Sequence, residues 1–315
     1  MSEHFIKNIE IKNFKCFQDF KAEGFARVNL IGGKNNVGKT AFMEACYINT
    51  SAETISNMLF SLSKIHQDRD RLNIALNDEF NMIDMLAKYN FFEILSINSI
   101  SYNFHDNSIN KSLSIQLNEN SETIDFTTQI SFNKNQNVIF IDNFGFTNSE
   151  LKEIYKPVQL LDKDTALNEY IMNFDKTITQ FKIISDIPYL KHNSEYYALS
   201  NFGDGIKQYI SIIASLYASK DKYLFIDEIE NGIHYTNLDK LWEIILTISK
   251  EQNVQVFATT HSKECIESYA RVSKRLEETD ITFISLYKNK ENNLKSITLD
   301  YQKIQDRIEL GLDNR

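Results

Sequence analysis

Residues 5–12 open the chain with alternation: Ile9 and Ile11 are interleaved with Asn8, Glu10 and Lys12. A period of two predicts a half-buried strand. After Asn13-Phe14-Lys15-Cys16-Phe17 a second polar/apolar stretch runs to Phe25, so an antiparallel hairpin is expected. Residues 28–31 are a short apolar run, the pattern of a buried strand, and residues 40–66 read as helical. From about residue 97 the period is again two, through Ile100, Tyr102 and Phe104, then Leu113, Ile115 and Leu117, then residues 124–132. That predicts an antiparallel meander with one wet face, closed by Val138–Ile141. Leu167, Tyr170, Ile171, Phe174, Ile178 and Phe181 carry helical spacing and predict a short helical lobe.

The last third alternates helices and strands. Ile206, Ile210, Ile213 and Tyr217 mark one helix, residues 223–226 a buried strand, and Leu238, Leu241, Trp242, Ile245 and Ile248 a second helix. Residues 254–258 form another strand, residues 282–287 and 294–299 an edge hairpin, and a charged helix ends the pattern. Strands separated by helices predict an α/β sheet.

Composition narrows the function classes. The chain has 315 residues, 42% of them hydrophobic, which is enough for a large core in one domain or two lobes. Net charge is −9, which argues against general affinity for nucleic acid and leaves only a local basic patch possible. Cys16, Cys46 and Cys265 are far apart and in no CxxC pattern, so a reducing, cytoplasmic location without structural zinc is expected. No apolar run approaches the ~18 residues of a membrane span.

The chemistry starts at residue 33. Gly33, Lys34, Asn35, Asn36, Val37, Gly38, Lys39 and Thr40 fit G-x-x-x-x-G-K-[ST] between an apolar strand and a helix that begins near Gly38, with Ala41 counted among the nucleotide-binding residues. Glycines let backbone N–H groups close around a phosphate, and the helix N-terminus favours the same anion. Lys39 adds charge for the β/γ-phosphates, and the Thr40 hydroxyl is placed to ligate Mg²⁺. A turn that merely resembles the motif is the alternative. Residues 223–226 deliver Asp227 and Glu228 at a strand end, where Asp227 would hold Mg²⁺ and Glu228 would polarise the attacking water. Thr260-His261-Ser262 ends the next strand, so His261 can reach a γ-phosphate, although a lone histidine there is often structural. Ser200, Gly203, Asp204 and Gly205 precede a helix and make a second anion site or, equally, a turn with its cap. Lys12 and Lys15 lie near a bound base or ribose or on a solvated strand edge.

Together these pieces resemble the prokaryotic AAA-type ATPases of the RecF/SMC/OLD-like group. Asn13-Phe14-Lys15-Cys16-Phe17 is similar to their N-terminal element, residues 33–40 to Walker A, and residues 200–205 with Lys207 to the ABC signature. Ile226-Asp227-Glu228 is similar to Walker B, residues 231–234 to the D-loop, and His261 to the switch histidine. The signature departs from L-S-G-G-Q, so the residue acting as signature serine stays open. Gln136 and Gln159 stand as candidates for the Q-loop glutamine. The stretch after Ser262 is short for a TOPRIM nuclease, and the ATPase half alone is expected.

The resemblance implies one ABC/RecF/SMC-type P-loop head over residues 1–315, α/β in class, with a mixed-sheet core, an antiparallel β lobe and a helical lobe. The core is expected from about 1–50 and 195–315, with residues 51–194 inserted. It implies ATP and Mg²⁺ as cofactors and catalytic roles for Glu228 and His261. It also implies a head-to-head dimer or higher oligomer in which residues 200–205 of one subunit cover the nucleotide on another. The expected role is an ATP-hydrolysing sensor or regulator of anti-phage defence, acting with a separate nuclease or toxin. A RecF-like DNA-binding repair ATPase and a nucleotide-gated scaffold are the alternatives.

Overall fold

The computed structural model describes residues 5–74, 91–95, 99–107, 110–117, 120–125 and 138–310. In chain order the first elements are β1 (Asn8–Phe14), β2 (Phe17–Glu23), β3 (Val28–Gly32), α1 (Lys39–Ser51) and α2 (Ile55–Ile74). Next come β4 (Phe91–Leu95), β5 (Ser99–Asn107), β6 (Asn110–Leu117), β7 (Asn120–Asp125) and β8 (Val138–Ile141). A middle segment holds α3 (Asn148–Leu160), α4 (Asp164–Phe174), β9 (Ile178–Ile184), β10 (Ile187–His192) and β11 (Glu195–Ala198). The last part is α5 (Asp204–Ala218), β12 (Tyr223–Ile226), α6 (Leu238–Glu251), β13 (Gln255–Thr259), α7 (Lys263–Arg275), β14 (Ile281–Lys288), β15 (Leu294–Asp300) and α8 (Tyr301–Glu309).

The central sheet has the order β15-β14-β3-β13-β12-β8. All its strands are parallel except the edge strand β15, which returns antiparallel on β14. Alternate side chains face opposite ways, so a strand covered on both sides must be apolar throughout. In β12, Leu224 and Ile226 join the core that contains α3 to α8, whereas Tyr223 and Phe225 join the core of α1, α2, β1 and β2. Phe225 stacks on Phe257 of β13 with centroids 5.3 Å apart, and Tyr47 of α1 meets both Phe225 and Phe140 of β8. This aromatic layer seats α1 on the sheet. A second sheet, β2-β1-β4-β5-β6-β7, is antiparallel throughout, and β9 to β11 form a third. Among the described residues no helix is long and apolar enough to cross a membrane.

Four expectations are corrected. Val138–Ile141 does not close the meander: β8 pairs in parallel with β12, Ile139 opposite Leu224 and Ile141 opposite Ile226. Its four consecutive buried residues are the mark of a strand covered on both faces rather than of a half-wet one. The helix from Asp164 stops at Phe174, and Ile178–Ile184 is a strand. A bulge causes the helix-like spacing: Lys191 pairs with Gln180 but His192 with Ile178, so Ile178 and Phe181 both face the core. Residues 40–66 are parts of two helices, broken at residues 52–54. The hairpin from Ile281 has only one edge strand, because β14 pairs with β3. In the alternating stretch 124–132, residues 126–132 lie outside the described residues, as does Gln136.

Candidate active site

The C-terminal ends of β3, β12, β13 and β8 lie side by side, and the chemistry-bearing residues leave the sheet there. After β3 the backbone turns at Gly33, with φ +143°, where a Cβ would run into the Leu286 carbonyl oxygen. Gly38 has φ +86°, and a Cβ there would lie 2.7 Å from the Cys16 sulfur. Both positions need glycine because an L side chain rarely adopts that backbone and has no room in either place. Gly38 caps α1 without a side-chain hydrogen bond, so the first-turn N–H groups remain free for an anion. Lys34, Asn35 and Asn36 form the exposed tip of the loop, while Val37 and Ala41 are buried in the core and can offer only backbone. The Lys39 ammonium folds over the loop, donating to the carbonyls of Gly33 (3.0 Å) and Lys34 (3.2 Å). Burial lowers its pKa, opposed by the charges of Glu228, Asp227 and Glu230.

Asp227 follows β12 directly and is 7% exposed. Its N–H donates to Ile141 O of β8 at 2.8 Å. Thr40 Oγ1 donates to Asp227 Oδ2 at 3.0 Å, which joins the two motifs across 187 residues of chain. Thr259 Oγ1 donates to Asp227 Oδ1 at 2.5 Å and accepts from Glu228 N–H at 2.8 Å. Glu228 has φ +48°, an uncommon left-handed position for a non-glycine residue, and its side chain remains 41% exposed. The hydroxyl and carboxylate oxygens of Thr40 and Asp227 suit a hard cation. Among the described residues no cluster of three or more His, Cys, Asp or Glu could hold a metal by itself.

After Glu228 the chain turns tightly, Asn231 N–H donating to Glu228 O and Ile233 N–H to Glu230 O. His261 leaves the end of β13 beside this turn. Its Nδ1 is 3.4 Å from Glu230 Oε1 and 3.9 Å from Glu228 Oε1, and the side chain is 51% exposed. His234 is elsewhere, its Nδ1 2.9 Å from Thr236 Oγ1 and its ring against Tyr235. No hydrogen bond or ion pair among the described residues links the second glycine loop, residues 200–205, to residues 33–41. Ser200 lies in a single 3₁₀ turn, Gly203 caps α5, and Asp204 opens its first turn. Gly205 packs against the Gly232 carbonyl with no space for a Cβ, whereas a Cβ on Gly203 would meet nothing within 4 Å.

Three further residues escaped the sequence reading. Thr259 and Glu230 are ordinary residues of a strand end and a turn; only strand adjacency makes them partners of the site. Asp142 follows β8 as Asp227 follows β12, so parallel register sets the two side by side, and it is 7% exposed. Gln159 is an exposed residue at the C-terminal end of α3. Lys15 bonds Glu44 of α1, and its Nζ lies 5.2 Å from the Phe14 ring centre, so it braces the β1–β2 hairpin against the helix. Lys12 pairs in register with Asp19 and Glu93. A cavity of about 540 Å³ opens beside the loop, lined by Cys16, Phe17, Asp19, Lys288 and Leu294 among others.

Residues 192–267 match the family model described as "AAA domain, putative AbiEii toxin, Type IV TA system". The chain is 24% identical over 327 residues to an "ATP/GTP phosphatase" of Helicobacter pylori, covering 83% of this chain and 86% of that protein. It is 30% identical over 114 residues to an uncharacterized protein of Methanocaldococcus jannaschii, covering 36% of this chain and 98% of that one. Among solved structures it is similar to an SMC head bound to the C-winged helix domain of ScpA, at 12% identity and TM-score 0.56, covering 96% of this chain and 99% of that one. It is also similar to an SMC head with an extended coiled coil bound to the C-terminal domain of ScpA derived from Pyrococcus furiosus, at 10% identity and TM-score 0.53, covering 97% and 99%. Strand order, phosphate loop and these likenesses agree: the chain has the fold of an SMC head and is similar to P-loop ATPases of the ABC/SMC type.

Proposed function

We propose that the protein is a nucleotide-driven switch in which ATP binds residues 33–41 and is hydrolysed with Glu228 as base and His261 beside the γ-phosphate. The observation that carries this reading is the hydrogen-bonded chain Thr40–Asp227–Thr259–Glu228. It locks the phosphate loop, the metal-binding carboxylate and the candidate base into one rigid unit. Lys39, held over its own loop carbonyls, is ready to exchange them for phosphate oxygens. Thr40 and Asp227 would hold Mg²⁺, which supplies charge neutralisation at the phosphates. Glu228, exposed beside buried Asp227, has room for a water. The free N–H groups of the α1 N-terminus bind the phosphate tail, and the cavity at Cys16 and Leu294 leaves space for the nucleoside end.

The lack of a hydrogen bond or ion pair between residues 200–205 and residues 33–41 among the described residues of one chain supports a head-to-head dimer. There the loop at Ser200, Gly203 and Asp204 would cover the nucleotide of a second copy. Binding would then depend on the γ-phosphate and lapse on hydrolysis, a population switch. The description matched by residues 192–267 names a toxin of a type IV toxin–antitoxin system, which supports a link to defence; the separately encoded nuclease or toxin is what the resemblance implies. Glu228→Gln is expected to keep ATP affinity near wild type, to cut turnover by about 10²-fold or more, and to accumulate as an ATP-bound dimer in light scattering. Lys39→Ala is expected to lose most ATP affinity in calorimetry. Wild-type turnover in the first variant, or wild-type affinity in the second, would overturn the assignment.

A further inference from the structure

Glu230 is a carboxylate with no assigned task, and its surroundings are unusual for a turn residue. Its side chain is 12% exposed. Oε1 accepts the backbone N–H of His261 at 3.0 Å and of Ser262 at 3.2 Å, and the His261 Nδ1 lies 3.4 Å away. Three nitrogens of the loop after β13 therefore converge on one oxygen from the turn after β12. Oε2 is buried without a hydrogen-bond partner among the described residues. A buried carboxylate with an unpaired oxygen is costly, and a neutral turn residue would avoid that cost. The two donated N–H groups fix the direction in which the chain leaves β13. The approach to Nδ1 favours the ring rotation that turns Nε2 away from the carboxylate.

We propose that Glu230 is a positioning residue: it clamps the His261–Ser262 backbone and orients the imidazole so that Nε2 faces the γ-phosphate. This rests on the reading that His261 acts in hydrolysis. Glu230 need not touch nucleotide, and its effect passes through the histidine. A misplaced group in an otherwise intact site lowers turnover more than binding. Gln keeps an acceptor oxygen at the same reach, Asp keeps the charge but is one methylene too short, and Leu keeps neither.

The test combines these variants with His261→Ala, measuring kcat for ATP and the Kd of a non-hydrolysable ATP analogue. Glu230→Leu and Glu230→Asp are expected to lose about tenfold or more in kcat with Kd within about twofold, and Glu230→Gln to stay within about threefold of wild type. Adding either damaging change to His261→Ala is expected to cause no further loss, since both act through one side chain. If the Leu variant does not fold, the Asp pair carries the test. Losses that multiply in the double variant, a loss in Kd instead of kcat, wild-type kcat in the Asp variant, or failure of Gln to rescue would overturn the proposal while leaving His261 in place. Wild-type kcat in His261→Ala would overturn both.

Discussion

Thr259 shows how much a single hydroxyl carries. It donates to Asp227 and accepts from the Glu228 backbone, so it positions both acidic residues of the motif. Its side chain is fully buried, which means that no water replaces it if it is lost. Thr259→Val keeps the shape, removes both hydrogen bonds and leaves Glu228 N–H unsatisfied. The expected result is a stability loss of about 1–3 kcal/mol in urea titration and at least about tenfold lower ATP turnover. Thr259→Ser is expected to restore both. A Val variant with wild-type turnover would remove Thr259 from the site. Asp227 and Glu228 were legible in the sequence because a strand ending in paired acids is a local pattern. Thr259 was not, because its importance comes from a neighbouring strand 32 residues away in the chain.

α3 illustrates an element whose stability depends on charge. Thr147 and Glu150 form a capping box: the Thr147 hydroxyl accepts from Glu150 N–H, and Glu150 Oε2 accepts from Thr147 N–H at 2.9 Å. Lys64 of α2 donates to Glu150 Oε1 at 2.8 Å and ties the two helices together. Burial would raise the Glu150 pKa, but Lys64 and Thr147 outweigh it and hold the group down at about 2. Because the folded value lies below the ordinary carboxylate value, the stabilisation is complete above about pH 5 and is lost as pH falls toward 2. Glu150→Gln is expected to cost about 1–2 kcal/mol at pH 7. The gap from wild type should close as pH is lowered from 5 toward 2, read from urea midpoints at several pH values. A gap independent of pH would mean that the charge contributes nothing. Pro157 inside α3 hides this helix from pattern reading, although the Thr147–Glu150 start signal is visible in the sequence.

The proposed assembly makes its own prediction at the scale of the molecule. Gly205 is a poor place to probe a shared interface, because any side chain there collides with Gly232 of the same chain. Gly203 is better: it has φ −67°, and a Cβ meets nothing within 4 Å. Gly203→Glu is therefore expected to fold with wild-type thermal stability, yet to lose ATP turnover because its charge would face a phosphate on another copy. Mixed with Lys39→Ala under subunit exchange, it is expected to recover part of the activity, since the mixed dimer contains one site free of both lesions. Full activity of Gly203→Glu alone would argue that residues 200–205 cover no nucleotide.

The order of β3, phosphate loop, α1, then β12 with its acids and β13 with its histidine was readable from residue order. Each piece is local: an apolar run, a glycine spacing, a helical period. The alternation of β1, β5 and β6 was readable for the same reason, but not β4 or its pairing with β1, which joins the first hairpin to the meander. What the sequence could not contain is which strands become neighbours. Only the tertiary structure moves β8 out of the meander and against β12, sets Asp142 beside Asp227, and brings Glu230 under His261. Those placements follow from parallel pairing across long stretches of chain, which is decided by burying both faces of the central sheet rather than by any local propensity. Residues whose role is to be next to something else carry no signature of their own, and so the phosphate loop was visible in one dimension and its supporting carboxylates and hydroxyls only in three.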